Sequence, residues 1–387
     1  MIFSAGSLHP GQAVRVLLLS HAFADPARRG KAQALARLGH AVTLAVPDEW
    51  PGPDGGPPAR VPHSDDGRVR VVPVPVSGEP GDPAEVRWSR RALRRLLTDF
   101  RPDLVQVEEE PGTPAAAVAA AAAHALRIPA VLYVRESVEA PRPLAERFRR
   151  RRTLRRAAGL AGASKLALGL AGRHAAGVPG LVLPQFGVTA PLDVARDPHD
   201  DFVIGFVGRL VPERGLDLLF RACVRLLGPW RVVVAGSGPA QADLEALAER
   251  LGIAARVTWL GAIRPEALAP RWAGFDCVVV PPRSTSEWVE TTGAVVLEAM
   301  ARGVAVVGTD SGIVPELVEG AGIVVPEEDA EALAAAVQGL VDEPGRRAEL
   351  AAAGRRRILA ECTDDAVARR TAAFWDEVRS AASRGAG

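Results

Sequence analysis

Cysteine, methionine, tyrosine and lysine are all scarce in this 387-residue chain: three Cys, two Met, one Tyr, and only Lys31 and Lys165 among 47 basic residues. Cys223, Cys277 and Cys362 lie far apart with no metal-ligand spacing, and an odd count suits no disulfide framework. A reduced, cytoplasmic setting is expected. Net charge is nearly absent too, at +1, so global electrostatics point to neither nucleic acid nor membrane. No apolar run reaches membrane-spanning length. The Ala-rich stretch Thr113–Ala125 is too short and is interrupted by His124. Met1–Val14 lacks the basic patch and long apolar stretch of a signal peptide.

What is present is ordinary for a globular protein, 48% hydrophobic and 24% charged. The length exceeds what a single core usually fills, so two domains are expected. Short valine-rich runs alternate with amphipathic ones. Strands are predicted at Val14–Ser20, Ala41–Val46, Arg68–Val76, Leu104–Val107, Ala130–Val134, Gly159–Ala163 and Leu181–Leu183. A second set falls at Phe202–Val207, Arg231–Ala235, Arg256–Leu260, Cys277–Pro281, Val304–Gly308 and Gly322–Val325. Nearly continuous apolar strands between helices imply parallel sheets covered on both faces. The fold class is therefore α/β, with two doubly wound Rossmann-like domains. Such sheets bind ligands at the carboxyl ends of their strands.

Among the helical patterns, Pro26–Leu38 has Asp25 as its cap and Gly39 as its stop. Others close the chain at Glu328–Leu340, Pro344–Glu361 and Asp364–Ser380. The domain boundary is placed in Gly187–Asp201, which carries Pro191, Pro198 and the aspartates 193, 197, 200 and 201 without periodicity. The domains are thus residues 1–187 and 188–365, with a closing helix over 366–387 expected to pack back on the first. Pro47–Gly67, rich in Pro and Gly, reads as an irregular surface loop.

Three constellations sit at strand ends in the second half. In Phe206-Val-Gly-Arg-Leu-Val-Pro-Glu-Arg-Gly, Gly208 closes a strand, and Arg209 and Arg214 bracket the turn before a helix. Forked guanidinium donors at such a turn suit a diphosphate. Gly236-Ser-Gly238-Pro is a tight turn after another strand, and weak evidence by itself. From Ser284 onward, Glu290 precedes a helix starting near Gly293 and Glu298 lies within it. A carboxylate accepts two hydrogen bonds at once, matching a sugar diol, and a helix start offers unpaired amides. By spacing alone each of these is as well read as a solvated turn or surface acid.

In combination and order, the segments Gly208-Arg209-Leu210, Arg214-Gly215, Gly236-Ser-Gly-Pro239, Glu290 with Glu298-Ala-Met-Ala-Arg-Gly303, and Thr309-Asp-Ser-Gly-Ile-Val-Pro-Glu316 resemble glycosyltransferase family 4. These are the retaining group 1 glycosyltransferases of GT-B fold, and the likeness spans the second half. It implies two domains facing across a cleft and transfer of a sugar from a UDP- or GDP-linked donor to an acceptor hydroxyl. Arg209 and Arg214 would hold the diphosphate, Glu298 the ribose, and Glu290 the donor sugar, with Thr292 and the amides near Gly293 beside it. Gly208, Gly236 and Gly238 would line the donor. Arg214 stands where the family more often has Lys. No Asp-x-Asp occurs to clamp a metal, so no metal or other cofactor is expected.

The first half departs from the family. Phe23-Ala-Asp-Pro-Ala-Arg-Arg-Gly30 replaces a Gly-Gly loop, and Tyr133-Val-Arg-Glu-Ser137 lacks a sugar-contacting His. Arg28, Glu109, Arg135 and Glu136 are the acceptor-side candidates; the acceptor itself (saccharide, lipid-linked or small molecule) is not legible. His21 follows the first strand, but the residues after it form no His–Asp dyad, so no general base is expected. The Arg-dense run Arg147–Arg156, with Phe148 and Leu154 interleaved, is either a solvated helix face or a peripheral contact with anionic lipid at the inner membrane face. Alternatives are a sugar-nucleotide epimerase, which the motif order disfavours, and a non-catalytic nucleotide-sugar-binding protein, which the Glu290/Glu298 pair disfavours.

Overall fold

The computed structural model describes residues 13–52, 56–139, 141–190 and 199–384. The chain divides into two compact units, Met1–Gly187 with Asp364–Gly387, and Val188–Thr363. Most of the boundary segment expected from sequence, including Pro191, Asp193, Asp197 and Pro198, lies outside the described residues.

The first unit contains β1 (Arg15–Leu19), β2 (Ala41–Pro47), β3 (Glu49–Pro51), β4 (Pro58–Arg60), β5 (Ser64–Asp65), β6 (Val69–Val74), β7 (Val76–Ser77), β8 (Arg87–Trp88), β9 (Leu104–Val107), β10 (Ala130–Val134), β11 (Gly159–Gly162) and β12 (Gly180–Val182). Its helices include α1 (Gly30–Arg37), α2 (Arg90–Phe100), α3 (Pro114–Ala125), α4 (Leu144–Leu154) and α5 (Lys165–Gly172). The main sheet is ordered β12-β11-β10-β9-β1-β2-β6-β5, parallel except for the short edge strand β5. Alternate residues of each strand feed opposite faces. Leu17, Leu19, Val105 and Val107 join α2 and α3 in one core, while Val16, Leu18, Leu44 and Tyr133 join α1 in the other. That double coverage is why these strands read as unbroken apolar runs.

The second unit is a six-stranded parallel sheet of β13 (Phe202–Val207), β14 (Trp230–Ala235), β15 (Val257–Gly261), β16 (Cys277–Val280), β17 (Ala305–Thr309) and β18 (Ile323–Val325), ordered β15-β14-β13-β16-β17-β18. Its helices are α6 (Leu216–Cys223), α7 (Gln241–Arg250), α8 (Pro265–Leu268), α9 (Ala294–Ala301), α10 (Val314–Val318), α11 (Ala330–Asp342) and α12 (Pro344–Glu361). The last helix, α13 (Asp364–Arg384), belongs to the first unit, where Phe374, Trp375 and Val378 enter the core shared with α1. Trp375 Nε1 donates to Gln106 Oε1 at 2.6 Å, and Gln106 Nε2 donates to Glu108 Oε1 at 2.7 Å. Lys31, also buried, pairs with Glu108 and donates to the Gln185 carbonyl at 2.7 Å.

Two sequence expectations are corrected. The Pro47–Gly67 segment is not irregular throughout: among its described residues β3 and β4 pair antiparallel, with Trp50 opposite Ala59. Prolines are tolerated there because the strand pair lies outside the main sheet and its outer amides need no partner. Asp48 anchors it, its carbonyl accepting from Val61 N at 2.9 Å and its carboxylate from Val76 N at 3.1 Å. The helix expected over Pro26–Leu38 is split into a 3₁₀ turn, Pro26–Arg28, and α1. The break falls at Arg29, whose backbone leaves the helical region and whose guanidinium turns back onto the carbonyls of Phe23 and Ala24, at 2.8 and 3.1 Å. Asp25 still caps the turn through Ala27 N.

Candidate active site

Each of the two main sheets reverses its parallel strand order at its centre, and a doubly wound sheet binds ligands in the crevice at that reversal. In the second unit the reversal lies between β13 and β16. At the end of β13 the backbone leaves through Gly208, and the turn after β14 crosses it. A Cβ on Gly236 would sit 1.8 Å from the Gly208 carbonyl oxygen, and one on Gly238 would sit 2.3 Å from that of Leu210. Glycine is therefore required for the two turns to cross. Leu210 N donates to Ser237 O at 2.9 Å, tying them together. Gly215, in the left-handed region at φ 69°, lets the start of α6 meet the end of β16, where a Cβ would lie 1.9 Å from Pro281 O.

Glu290 enters from the long connection after β16 and is 2% exposed. Its Oε1 accepts from Thr292 N, Thr292 Oγ1 and Gly293 N at 3.1, 3.0 and 3.0 Å. Its Oε2 pairs with Arg214, whose guanidinium also lies 5.3 Å above the Trp288 ring. The Glu290 carbonyl accepts from Ile313 N at 2.9 Å, over Gly312, where a Cβ would come within 2.0 Å of it. Glu290 thus organises the loop. The Gly293 amide, expected to be open to a ligand, is occupied by this carboxylate. Arg209 is exposed and has no charged partner among the described residues. Glu298, on α9, lies 3.6 Å from Arg302. Burial pushes its carboxyl above the usual carboxylate range, with Arg302 opposing the shift.

In the first unit the reversal lies between β1 and β9. No His–Asp dyad was expected here, and the structure instead pairs His21 with a glutamate. His21, just past β1, places Nδ1 2.7 Å from Oε2 and 2.9 Å from Oε1 of Glu109, just past β9, and its backbone N donates to the same carboxylate at 2.7 Å. Glu109 is 2% exposed. Strand register makes the pair: Leu19 sits opposite Val107, so the residues two beyond each meet. The His21 ring packs on Trp50 with centroids 5.0 Å apart. Arg28 joins His21 and Trp50 in lining an open pocket of about 260 Å³.

The remaining acceptor-side candidates fall in a different network. Arg135 N donates to Glu110 Oε1 at 2.6 Å, and the Arg135 guanidinium lies 3.5 Å from it. Glu136 is matched by Arg142 at 2.7 Å and Arg150 at 3.3 Å. Glu110 Oε2 is buried without a hydrogen-bond partner. Burial, then repulsion from Glu136, pushes the Glu110 carboxyl up to about 7. The basic run lies on α4 and just beyond it. Leu154 is buried rather than interleaved on the surface, because it packs in the core beside α3. Arg149 turns inward to the Gly112 carbonyl and Arg150 to Glu136. The exposed set is Arg147, Arg151, Arg152 and Arg155, with Leu144 and Phe148. Among the described residues no helix is long and apolar enough to cross a membrane.

Two family models match the chain: glycosyl transferases group 1 over residues 193–357, and the glycosyl transferase 4-like domain over residues 24–177. A D-inositol 3-phosphate glycosyltransferase of Rhodococcus jostii is 39% identical over 185 residues, which is 45% of this chain and 40% of that protein. A GDP-mannose-dependent alpha-(1-6)-phosphatidylinositol monomannoside mannosyltransferase of Mycolicibacterium smegmatis is 37% identical over 164 residues, 41% of this chain and 43% of that one. The chain therefore spans about two fifths of the curated relatives it matches. Among solved structures, sucrose-phosphate synthase from Thermosynechococcus elongatus aligns with a TM-score of 0.70 at 20% identity, covering 95% of this chain and all of that one. Anabaena HepE in complex with UDP aligns at 0.68 and 18% identity, covering 94% and 99%. At such identities the likeness is one of fold, GT-B.

Proposed function

Because the chain belongs to the group 1 glycosyl transferases, with the 4-like domain preceding, we propose that it moves a sugar from a nucleoside-diphosphate donor to an acceptor hydroxyl. The observation that carries this is the crossing of the Gly208 and Gly236 turns at the strand reversal of the second unit, beside a free Arg209 and the Arg214–Glu290 pair. The crossing brings backbone close enough for a diphosphate to approach, and Arg209 meets its charge. As the diphosphate departs, Arg209 stabilises the growing negative charge without reorganising, which is worth more in a crevice than in water. Arg214 keeps its place through Glu290 and Trp288 and adds the second positive group. Glu298 accepts the ribose hydroxyls. The arginines stand in for a metal, so no divalent ion takes part.

The family resemblance favours retention of the donor's anomeric configuration, with the leaving phosphate receiving the acceptor's proton. The His21–Glu109 pair favours a second reading, inversion, since an inverting transfer needs a base to take that proton. The names of the relatives and neighbours support a GDP- or UDP-linked donor and an inositol-bearing acceptor, an inositol phosphate in one relative's name and a phosphatidylinositol mannoside in the other's. One experiment tests the whole: incubate the protein with GDP- and UDP-sugars in excess EDTA and read the anomeric coupling of the new linkage by proton NMR. Transfer with retention supports the first reading, transfer with inversion the second. Absence of transfer or hydrolysis of every donor, with or without magnesium, rejects glycosyl transfer.

A further inference from the structure

The two glutamates that follow β16 are held in different ways. Glu290 is buried, and both its oxygens are taken up by Arg214, Thr292 and Gly293. Glu298 keeps a side chain 35% exposed, and among the described residues neither of its oxygens takes a hydrogen bond. Beside it stands Arg302, one turn on, at the end of α9. The Arg302 guanidinium donates to the main-chain carbonyl of Glu298 at 3.3 Å and lies 3.6 Å from Glu298 Oε2. The second distance is too long for a hydrogen bond but short enough for charge attraction. On its other side the guanidinium lies over Trp272, 5.3 Å from the ring centre. Trp272 is buried, and its indole N–H has no partner among the described residues, so it is the ring that this residue contributes. Ring and carbonyl together fix the guanidinium. The helices α10 and α12 pack against α9 and carry further charges, Glu316 and Arg355 among them. Arg355 donates to the Ala301 carbonyl instead, and the charge that acts on the Glu298 carboxyl is that of Arg302.

We propose that Arg302 is a positioning residue for Glu298: it steadies the carboxylate by charge alone and so leaves both oxygens to the vicinal hydroxyls of the donor's ribose. A cation bonded directly to the carboxylate would occupy one of those oxygens. Two hydroxyls can donate to one carboxyl only while it is ionised, because protonation turns one oxygen into a donor. Burial works against the ionised form of Glu298, and Arg302 offsets it. The preference for ribose over deoxyribose is then set in part by a residue that touches neither. This deepens the donor reading and rests on it, since it takes Glu298 as the residue that meets the ribose.

Calorimetry on the full chain across a range of pH, with GDP, UDP and their 2′-deoxy forms, tests this without turnover. Wild type is expected to bind a ribonucleotide roughly tenfold more tightly than its 2′-deoxy form, the scale of one hydrogen bond to a charged group. Arg302→Met should bring the two forms close to equal affinity. It should also move the fall of nucleotide affinity on acidification to higher pH, because losing the cation raises the carboxyl further. Arg302→Lys keeps the charge and should restore both the ratio and the pH profile. In a Glu298→Gln background Arg302→Met should change neither, since the carboxylate that links the cation to the ribose is gone. A purely structural helix end would weaken both nucleotides alike and leave the pH profile in place. That result, a wild-type ratio in Arg302→Met, or the same effect of Arg302→Met in the Glu298→Gln background would each overturn the proposal while nucleotide binding stands. Failure of wild type to bind any of the four nucleotides would overturn the donor reading, and this proposal with it.

Discussion

Arg214 and Glu290, 76 residues apart in sequence, form an ion pair whose carboxylate is also held by the amides of Thr292 and Gly293. The pair joins the 3₁₀ turn before α6 to the loop before α9, so it serves the shape of both. Removing one partner leaves the other as a poorly compensated charge. Arg214→Met is therefore expected to destabilise the second unit by about 3 kcal/mol, the low end for a buried pair because Arg214 itself is partly exposed. Adding Glu290→Gln should recover most of that stability in urea unfolding, since the amide still accepts from Thr292 and Gly293. Turnover should not recover. It should stay roughly 10²–10³-fold low, as for loss of one preorganised charge contact. Recovery of activity in the double variant would reduce the pair to a purely structural role. Arg209→Ala should lower turnover on the same scale without loss of stability.

Glu298→Ala should weaken nucleotide binding by about 1–3 kcal/mol, the cost of losing hydrogen bonds to a charged group. Free nucleoside diphosphate and full donor should lose equally, because the ribose is common to both. Burial raises the Glu298 carboxyl, so its ionised form is lost earlier on acidification than in an ordinary glutamate. Nucleotide affinity should therefore fall as pH drops, and that fall should vanish in Glu298→Gln. Calorimetry that finds unchanged affinity in Glu298→Ala would remove the residue from the ribose.

Glu110 makes a stability prediction. Its carboxyl is pushed from the usual 4.5 up to about 7 in the folded unit. A raised folded value means the fold prefers the protonated acid. The stabilisation is complete below the unfolded value and is lost as pH rises through about 7. The full swing is about 3 kcal/mol at most, taking 1.36 kcal/mol per unit. Glu110→Gln keeps the acceptor for Arg135 N and removes the ionisation. Its stability relative to wild type should rise between pH 5 and pH 8, measured by urea midpoints; a constant difference would rule out the titration.

The exposed face of α4 offers the fourth. Leu144 and Phe148 are 78% and 68% exposed and stand one helical turn apart among Arg147, Arg151, Arg152 and Arg155. Such a face should bind anionic vesicles and release in high salt, since screening shortens the attraction. Phe148→Ser with Leu144→Ser should weaken vesicle binding while leaving transfer to a soluble acceptor unchanged. Equal failure of wild type to sediment with anionic and neutral vesicles would leave α4 as a solvated face.

The parallel strands of the two main sheets were legible because each is a nearly continuous apolar run, and β9, β10 and β13 begin and end where the runs do. The glycine turns were legible because close backbone approach leaves only one residue type. What local pattern does not carry is partnership across the sheet. Nothing near His21 announces Glu109, 88 residues away; the pair exists because parallel register sets Leu19 beside Val107. Arg214 and Glu290 were legible as candidates for separate tasks but not as a pair. Trp50 was missed for another reason. It sits in a segment whose Pro and Gly content reads as irregular, while its strand is made by backbone pairing that composition does not report.

The return of α13 to the first unit makes the second an insertion within the first. During synthesis the strands β1 to β12 emerge long before Trp375, which completes their core and satisfies Gln106. Until then one face of that sheet is covered only in part, by α1, and the buried Lys31–Glu108–Gln106 network lacks its final donor. The second unit has all its residues in one continuous stretch and can close first. The order of folding is therefore expected to reverse the order of emergence, the usual amino-terminal-first progression of multidomain chains. A released chain stopped at Thr363 would be a finished second unit carrying an unfinished first.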